Sequence, residues 1–148
     1  MLTFDITTDK TRMDFGLVYR FLSEHSGWAP NAESMGIPED LFIRAMGNSL
    51  CFAGCLVGEQ IAFARVISDF ATFANLVDVF VVPEFRGNGY GTRLLEAVFA
   101  HTDLQGVRRF TLATHNAHGL YAKFGFHAPA RPDTLMERYD PDIYKALK

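Results

Sequence analysis

The spacing of apolar residues predicts two helices in the first third of the chain. Residues 11–24 carry apolar side chains that recur at helical spacing and share one face, namely Met13, Leu17, Val18, Phe21 and Leu22. Residues 26–31 contain Gly and Pro and predict a loop after this helix. A second helix is predicted over residues 38–46, because Pro38 suits the first turn of a helix.

The next apolar runs have the pattern of strands. Residues 50–57 and 60–67 are separated by Gly58 and Glu59, and two turn residues between strand-like runs predict a hairpin. Residues 75–82 are rich in β-branched side chains, are apolar on both faces and stop at Pro83, so we expect a central strand there. A short first strand is predicted at residues 3–6.

The second half of the chain continues the alternation of helices and strands. A helix is predicted over residues 89–101, with a buried stripe made of Leu94, Leu95, Val98 and Phe99. A strand at residues 109–114 and a short helix at residues 116–124 follow, and Gly125 ends that helix. Residues 126–127 and 134–139 are expected to complete the sheet. This order of elements predicts a mixed α/β fold.

Length and composition fit one domain that covers residues 1–148. Hydrophobic residues make up 49% of the chain and aromatic residues 14%, which argues against disorder. The net charge is −3 at neutral pH, whereas proteins that bind nucleic acid usually carry a basic face. We therefore expect no nucleic-acid partner.

Nothing in the sequence indicates export, a membrane span or a metal site. The first ten residues lack a basic stretch followed by an apolar run, and no apolar stretch is long enough to cross a bilayer, so we expect a soluble cytoplasmic protein. Cys51 and Cys55 are separated by roughly 13 Å on a strand, which is too far for a disulfide. No further metal ligands cluster beside them, and they are interpreted as small buried apolar residues.

A glycine-rich loop joins the predicted central strand to the helix that follows it. Gly87, Gly89 and Gly91 let the backbone approach a ligand without a clash from a Cβ atom, and Arg86 adds a positive charge. The start of the helix presents unpaired N–H groups at the positive end of its dipole, which suits a pyrophosphate. The loop lacks the Lys of a Walker P-loop, and its glycine spacing differs from the Rossmann fingerprint.

Residues 86–91, which read RGNGYG, resemble the central motif of the GNAT superfamily of acetyl-CoA-dependent N-acetyltransferases. That motif is Arg or Gln, two residues, Gly, one residue, and Gly or Ala. Residues 81–85 resemble the exit of the family's fourth strand, and the segment from Asn116 through Tyr121 to Phe126 resembles a second family motif. The resemblance implies a central mixed, mostly antiparallel sheet of about six to seven strands flanked by about four helices.

The resemblance also implies an activity, which is transfer of an acetyl group from acetyl-CoA to the primary amine of a small molecule by direct attack in a ternary complex. No metal is implied. Tyr121 would protonate the departing thiolate, and the N–H of Phe80 or its neighbour would polarise the thioester carbonyl. The implied contacts to acetyl-CoA are Phe80, Val81, Val82, Arg86, Gly87, Asn88, Gly89, Tyr90, Gly91, Thr92 and Asn116.

The candidate catalytic side chains also have structural interpretations. On spacing alone, Tyr121 would be an aromatic packing residue. Asp78 interrupts an apolar strand, so its carboxylate is expected to be either paired or functional. A structural ion pair with Arg65 is the alternative to a role as general base. His118 is a second candidate base, and the alternative is that it is a surface residue or a helix cap.

The acceptor is expected to lie against the first two helices and the loop between them. Candidate substrate contacts are Tyr19, Trp28, Arg65 and Phe73, with simple packing of the loop as the alternative for Trp28. Two other functions remain open, namely a non-catalytic acyl-CoA-binding module, against which Tyr121 argues, and a protein or peptide N-acetyltransferase. Aromatic residues at the surface would support a homodimer.

Overall fold

Strands and helices alternate along the chain in the order that the apolar pattern predicts. The computed structural model describes residues 2–25 and 36–147. The strands are β1 (Phe4–Thr7), β2 (Leu50–Leu56), β3 (Glu59–Ser68), β4 (Phe73–Val81) and β5 (Arg109–Leu112). The α-helices are α1 (Phe15–His25), α2 (Glu39–Gly47), α3 (Tyr90–Ala100) and α4 (His118–Ala122).

Within the described residues the strands form a five-stranded sheet in the order β1-β2-β3-β4-β5. The first three pairings are antiparallel, and β5 is parallel to β4. A parallel pair needs a crossover connection, which α3 supplies between β4 and β5. The mixed, mostly antiparallel sheet is therefore confirmed, and β4 lies in its interior with a neighbour on each side.

The strand count is lower than predicted, because residues 126–127 and 134–139 form no strand. The N–H of Phe126 donates to the carbonyl of Tyr121 at 3.2 Å and so closes a turn after α4. Leu135 and Met136 are exposed, so no buried face holds that segment against the sheet. The prediction that residues 134–139 complete the sheet is therefore wrong.

Two element boundaries differ from the prediction for local reasons. The first helix begins at Phe15, because Asp14 Oδ1 accepts the N–H of Leu17 at 2.9 Å and caps it. The β2–β3 turn consists of Val57 and Gly58, whose φ angles are 49° and 77°. A two-residue turn that matches the strand twist needs positive φ at both positions, so it lies one residue earlier than Gly58 and Glu59.

Helices on both faces of the sheet enclose two apolar cores. We call them the α3-side core, which includes Phe52, Val66, Leu76, Leu94, Leu95, Val98 and Tyr121, and the α1/α2-side core, which includes Val18, Leu22, Phe42, Met46, Cys51, Phe63 and Phe80. Cys51 and Cys55 are both free and buried, as expected. Burial raises the pKa of the Cys51 thiol to about 11, which keeps it protonated at neutral pH.

β4 contains the irregularity that shapes the end of the sheet. Two of its residues, Asp78 and Val79, lie opposite the single residue Ala64 of β3. Asp78 has a φ of 56°, in the left-handed region, so this is a β-bulge. On its other side β4 pairs with β5 only through residues 73–76, which leaves residues 77–81 without a partner strand there in the described part of the chain.

Candidate functional site

A pocket of about 220 Å³ lies where β4, the glycine-rich loop, the start of α3 and α4 meet. Its lining residues are Val81, Phe85, Arg86, Gly87, Gly89, Tyr90, Gly91, Thr92 and Leu120. The sequence places these residues in two segments, and the crossover from β4 through α3 to β5 brings α4 back beside the loop. The two motifs that were recognised separately therefore border one space.

The loop between β4 and α3 holds its shape through two glycines. Gly87 and Gly89 have φ angles of 83° and 81°, a backbone conformation that is strained for residues other than glycine. A Cβ atom at either position would meet no protein atom within 4 Å, so the space above both is open. Gly89 is the residue before α3, where the N–H groups of the first turn have no partner inside the helix.

Gly91 has a different reason to be glycine. Its φ is not positive, and an added Cβ would touch only Val81 Cγ2 at an ordinary 3.6 Å. The backbone and the neighbours would therefore accept alanine, but Gly91 lines the pocket. A larger side chain at this position would fill the space that the pocket offers to a ligand.

Two polar side chains brace the loop from within. Arg86 Nε donates to the carbonyl of Val81 at 2.9 Å, and Asn88 Nδ2 donates to the carbonyls of Phe85 and Arg86 at 3.1 and 3.2 Å. A guanidinium has five N–H donors, so Arg86 keeps donors for an anion in the pocket. The loop thus combines a fixed positive charge with the positive end of the α3 dipole.

The backbone groups at the end of β4 face two directions. The N–H of Val82 donates to the carbonyl of Ile61 at 2.8 Å, and Phe80 lies opposite Phe63. In an antiparallel ladder alternate residues point to the same neighbour, so Phe80 and Val82 both face β3. The backbone of Val81 faces the open side. The ladder with β3 therefore uses the amide of Val82 and, by alternation, that of Phe80, which leaves Val81 as the neighbour whose amide could contact a ligand.

Asp78 and Arg65 form a buried ion pair on the α1/α2 side of the sheet. Arg65 Nε donates to Asp78 Oδ2 at 2.8 Å, and 10% and 7% of the two side chains are exposed. Arg65 Nη1 also donates to Ser49 Oγ at 2.9 Å, which in turn donates to the carbonyl of Ala45 in α2 at 2.7 Å. Burial raises the pKa of Asp78, and the Arg65 guanidinium partly offsets this effect.

Tyr121 lies in α4 and is 8% exposed. Its ring packs edge-on against Phe126, with 6.1 Å between centroids. Its hydroxyl makes no hydrogen bond within the part of the chain that the structure describes, and the hydroxyl oxygen is not among the buried polar atoms that lack a partner there, so it is accessible at the surface of the core. Burial raises the pKa of Tyr121 above its usual value of 10.0, so the phenol is protonated at neutral pH.

His118 and Asn116 are exposed and lie at the start of α4. His118 is the first residue of the helix, and Asn116 precedes it. The local turn is fixed by Thr114 Oγ1, which accepts the N–H of Ala117 at 3.1 Å. Both side chains are therefore free to reach a ligand, but neither lines the pocket.

Of the four candidate substrate contacts, the three that the structure describes lie in different settings. Arg65 is in the buried pair described above, and Tyr19 donates its hydroxyl to the carbonyl of Ile37 at 2.7 Å, which ties α1 to the residues before α2. Phe73 begins β4, on the order of 25 Å along the strand from Val81, so it cannot line the same pocket. Trp28 lies outside the described residues.

Sequence reasoning missed Ser49 and Phe85. Ser49 sits between α2 and β2, a position where a serine is ordinarily solvated, and only the fold shows that it accepts from Arg65. Phe85 follows Pro83 in a single 3₁₀ turn and lines the pocket. Neither residue type carried a signal of its own. The left-handed Asp78 did carry one, as a lone carboxylate in an apolar run.

In the described part of the chain, no helix is long and apolar enough to span a bilayer. Among the same residues, no group of His, Cys, Asp and Glu side chains has the arrangement of a metal site.

Comparison with known proteins identifies the type of domain. Residues 47–128 match the acetyltransferase (GNAT) domain. The chain is 53% identical to a GNAT-family protein of Xanthomonas campestris pv. campestris, whose crystal structure matches with a TM-score of 0.88 over 97% of this chain and 98% of that one. A Gibberella zeae protein that carries a provisional acetyltransferase name is 27% identical over an alignment 139 residues long, and the match covers 80% of this chain and 75% of the relative.

A more distant structure shares the fold. A Clostridium acetobutylicum protein, described as a predicted acetyltransferase with acetyl-CoA, is 19% identical and matches with a TM-score of 0.65. The match covers 94% of this chain and 96% of that one.

Proposed function

We propose a reaction for this chain, which belongs to the GNAT acetyltransferase family and is an acyltransferase. It moves an acetyl group from acetyl-CoA to the primary amine of a small molecule by direct attack in a ternary complex. The observation that carries the proposal is the pocket in which the glycine loop and α4 meet. The pocket borders both the glycine loop, whose N–H groups suit a pyrophosphate, and α4, which contains the protonated phenol of Tyr121.

The glycine loop supports the proposed binding of acetyl-CoA, the acetyl donor. The amides of residues 87–92 would hold the pyrophosphate, and Arg86 would contribute its remaining donors. The open space above Gly87 and Gly89 admits a ligand close to the backbone. The edge of β4 at Val81 has no partner strand in the described residues, and because Arg86 already donates to the Val81 carbonyl, the N–H of Val81 is the group that the pantetheine arm would meet when it adds to the sheet.

The reaction has two proton transfers, and the chain offers a group for each. A free amine has a pKa of about 10 and must be neutral to attack, while a thiolate leaves more readily when an acid protonates it. Tyr121 is the proposed acid, because burial keeps its phenol protonated and its hydroxyl has no partner in the described residues. The proton therefore moves from the phenol to the sulfur as the C–S bond breaks.

The base is proposed from two candidates that differ in exposure. His118 is exposed at the start of α4 and could take the amine proton directly or through water. Asp78 is buried and engaged by Arg65, which favours a role in holding the bulge over a role as base. Steady-state kinetics of His118→Ala separate the two, because kcat falls sharply only if His118 is the base.

The experiment is to mix the purified chain with acetyl-CoA and a panel of small primary amines, and to measure released thiol and the N-acetylated product. We expect turnover with at least one amine in the wild type and a loss of about 10²-fold or more in Tyr121→Phe. Acetyl-CoA binding without turnover on any amine would instead favour an acyl-CoA-binding module. Turnover confined to peptide substrates would favour a peptide N-acetyltransferase.

A further inference from the structure

The first half of β4 turns its backbone groups to its two neighbours in regular alternation. The carbonyl of Thr72, just before the strand, accepts the N–H of Arg108 at 3.2 Å and so faces β5. The next carbonyl, that of Phe73, accepts the hydroxyl of Ser68 at 2.6 Å and so faces β3. If this alternation continued without interruption, every odd-numbered residue of β4 would face β3, and Val81 would be one of them.

The end of β4 has the opposite alternation. The N–H of Val82 donates to the carbonyl of Ile61 in β3 at 2.8 Å, so it is the even-numbered residue that faces β3 here. The carbonyl of Val81 accepts from Arg86 Nε at 2.9 Å on the other side. The bulge causes this reversal, because it inserts one residue into β4 relative to β3. Without the bulge, the ladder with β3 would use the N–H of Val81.

The bulge depends on an unfavourable conformation of one residue. Asp78 has a φ of 56°, in the left-handed region, which a residue with a Cβ atom adopts only at a cost. Its carboxylate is also buried, with 7% of the side chain exposed. A residue in such a conformation persists where the surrounding groups fix it, so the partners of Asp78 decide whether the bulge forms.

Arg65 and Ser49 supply the groups that fix Asp78. Arg65 Nε donates to Asp78 Oδ2 at 2.8 Å, and Arg65 Nη1 donates to Ser49 Oγ at 2.9 Å. The guanidinium is planar, so two hydrogen bonds set its orientation as well as its position. Ser49 in turn donates to the carbonyl of Ala45 at 2.7 Å, in the last turn of α2. A chain of three buried polar side chains therefore anchors the bulge to α2.

The direction of the Val81 N–H matters for the reaction proposed above. As the amine nitrogen attacks the thioester carbon, negative charge develops on the carbonyl oxygen, and a backbone N–H that points at this oxygen stabilises it. The carbonyl re-forms when the C–S bond breaks, while the sulfur gains a proton from the acid and the amine loses one to the base. An N–H can act in this way only if the sheet has not already used it.

We propose that Arg65 and Ser49 are positioning residues for acyl transfer, which hold Asp78 in its left-handed conformation and thereby keep the N–H of Val81 turned toward the acyl donor. The chemistry rests on the function proposed above, whereas the direction of the N–H is a property of the chain without ligand. Neither residue lines the pocket. Their loss therefore lowers the rate of transfer more than the binding of acetyl-CoA, which the glycine loop provides.

The kinetic test compares two double variants that both lack the buried charges. Arg65→Met with Asp78→Gly leaves a residue that adopts positive φ freely, whereas Arg65→Met with Asp78→Val leaves a β-branched residue that does not. We expect kcat to be at least about tenfold higher in the glycine variant, with KM for acetyl-CoA within about threefold, because the N–H acts on the transition state. Phe70→Gly, at a φ of 61° in the turn before β4, is the matched control and leaves kcat unchanged.

A third variant tests the outer end of the chain and stays informative if the valine variant does not fold. Ser49→Ala keeps the ion pair but removes the bond to Arg65 Nη1, so kcat is expected to fall by at least about threefold at unchanged KM. Circular dichroism and Tm show which variants fold. An unchanged kcat in Ser49→Ala would overturn the role of Ser49. Equal kcat values in the two double variants would overturn the proposal, and are the result expected if Asp78 were the base.

Hydrogen exchange followed by NMR measures the direction of the N–H without any turnover. In the wild type without ligand, the N–H of Val81 is expected to exchange at least about tenfold faster than that of Val82, which is bonded to β3. The difference is expected to vanish or reverse in the valine variant. Slower exchange at Val81 than at Val82 in the wild type overturns the proposal. A wild type that binds acetyl-CoA but acetylates no amine contradicts the proposed function instead, and the exchange rates then decide the positioning role by themselves.

Discussion

Asp78 lies in β4 and the glycine loop follows that strand, but the two regions use different chemical groups. The loop uses backbone N–H groups, whereas the Arg65–Asp78 pair uses charged side chains. The loop offers backbone N–H groups to solvent, and its two essential φ angles are 83° and 81°. The pair consists of two charged side chains that are 10% and 7% exposed and hold each other at 2.8 Å. One region is built to receive a ligand, and the other is already satisfied within the protein.

This difference separates two kinds of evidence for function. A loop whose donors have no internal partner has a binding capacity that the fold itself does not use. The buried Arg65–Asp78 pair, with its further hydrogen bond to Ser49, already has its polar groups bonded within the protein. The carboxylate of Asp78 in the apolar strand β4 is explained by the bulge that the pair supports. Unused capacity is therefore the better guide to the ligand site in this protein.

The largest expected effect comes from breaking the pair. Arg65→Met leaves the Asp78 carboxylate buried without a cation, and the free energy of unfolding is expected to fall by about 3–5 kcal/mol, measured by urea denaturation. The double variant Arg65→Met, Asp78→Asn removes both charges and keeps a residue that tolerates positive φ. It is expected to recover most of the loss, and a double variant as unstable as Arg65→Met would contradict the assignment.

An intermediate effect is expected at Tyr121, and it concerns rate rather than stability. Removing a hydroxyl that has no described partner costs no hydrogen bond, so Tyr121→Phe is expected to shift the free energy of unfolding by less than about 0.5 kcal/mol. Its kcat is expected to fall by about 10²-fold, because the acid for the thiolate is gone. Steady-state kinetics and thermal unfolding of the same preparation check both. An unchanged kcat would show that Tyr121 only packs.

A smaller effect distinguishes the glycines of the loop. Gly87→Ala places a Cβ in a left-handed conformation and is expected to destabilise the protein by about 1–2 kcal/mol. Gly91→Ala lies in a helix with ordinary φ and is expected to stabilise it by up to about 1 kcal/mol. Thermal unfolding measures both, and Gly47→Ala at the end of α2 is a matched control away from the pocket. Equal effects at Gly87 and Gly91 would remove the distinction.

The smallest effect concerns pH. Because burial raises the folded-state pKa of Asp78 above 3.8, the folded state binds this proton more tightly than the unfolded state. The contribution of Asp78 to stability is therefore fully present below 3.8 and declines as pH rises through the raised pKa. Tm of the wild type relative to Asp78→Asn is expected to fall as the pH rises above 3.8. The opposite slope would mean that Arg65 outweighs burial.

The fold and the glycine loop were predictable because each depends on local signals. Apolar periodicity located the helices and most strands, and the glycine spacing with its flanking strand and helix identified the family that the domain match confirms. The turn at Val57 and Gly58 and the cap at Asp14 moved boundaries by a few residues, because turn and cap geometry compete with periodicity.

The side-chain arrangement of the site was less predictable. Which amides of β4 are free depends on register with β3, and the sequence does not give the register that commits Val82 to Ile61. The distance of Phe73 from the pocket follows from the direction of β4, which a list of aromatic residues does not contain. The strand predicted at residues 134–139 is absent because Leu135 and Met136 are exposed and no buried face fixes the segment, and burial is a property of the whole fold.

The most direct test of the central claim is a calorimetric titration of acetyl-CoA into the wild type, Gly91→Ala and Gly91→Phe. At this position neither substitution strains the backbone, so the pair differs in how much of the pocket is filled. The account predicts that the wild type and Gly91→Ala bind with similar affinity and that Gly91→Phe, folded by circular dichroism, binds at least about 100-fold more weakly. Equal binding by all three proteins would contradict the claim that the glycine loop holds the pyrophosphate of the donor.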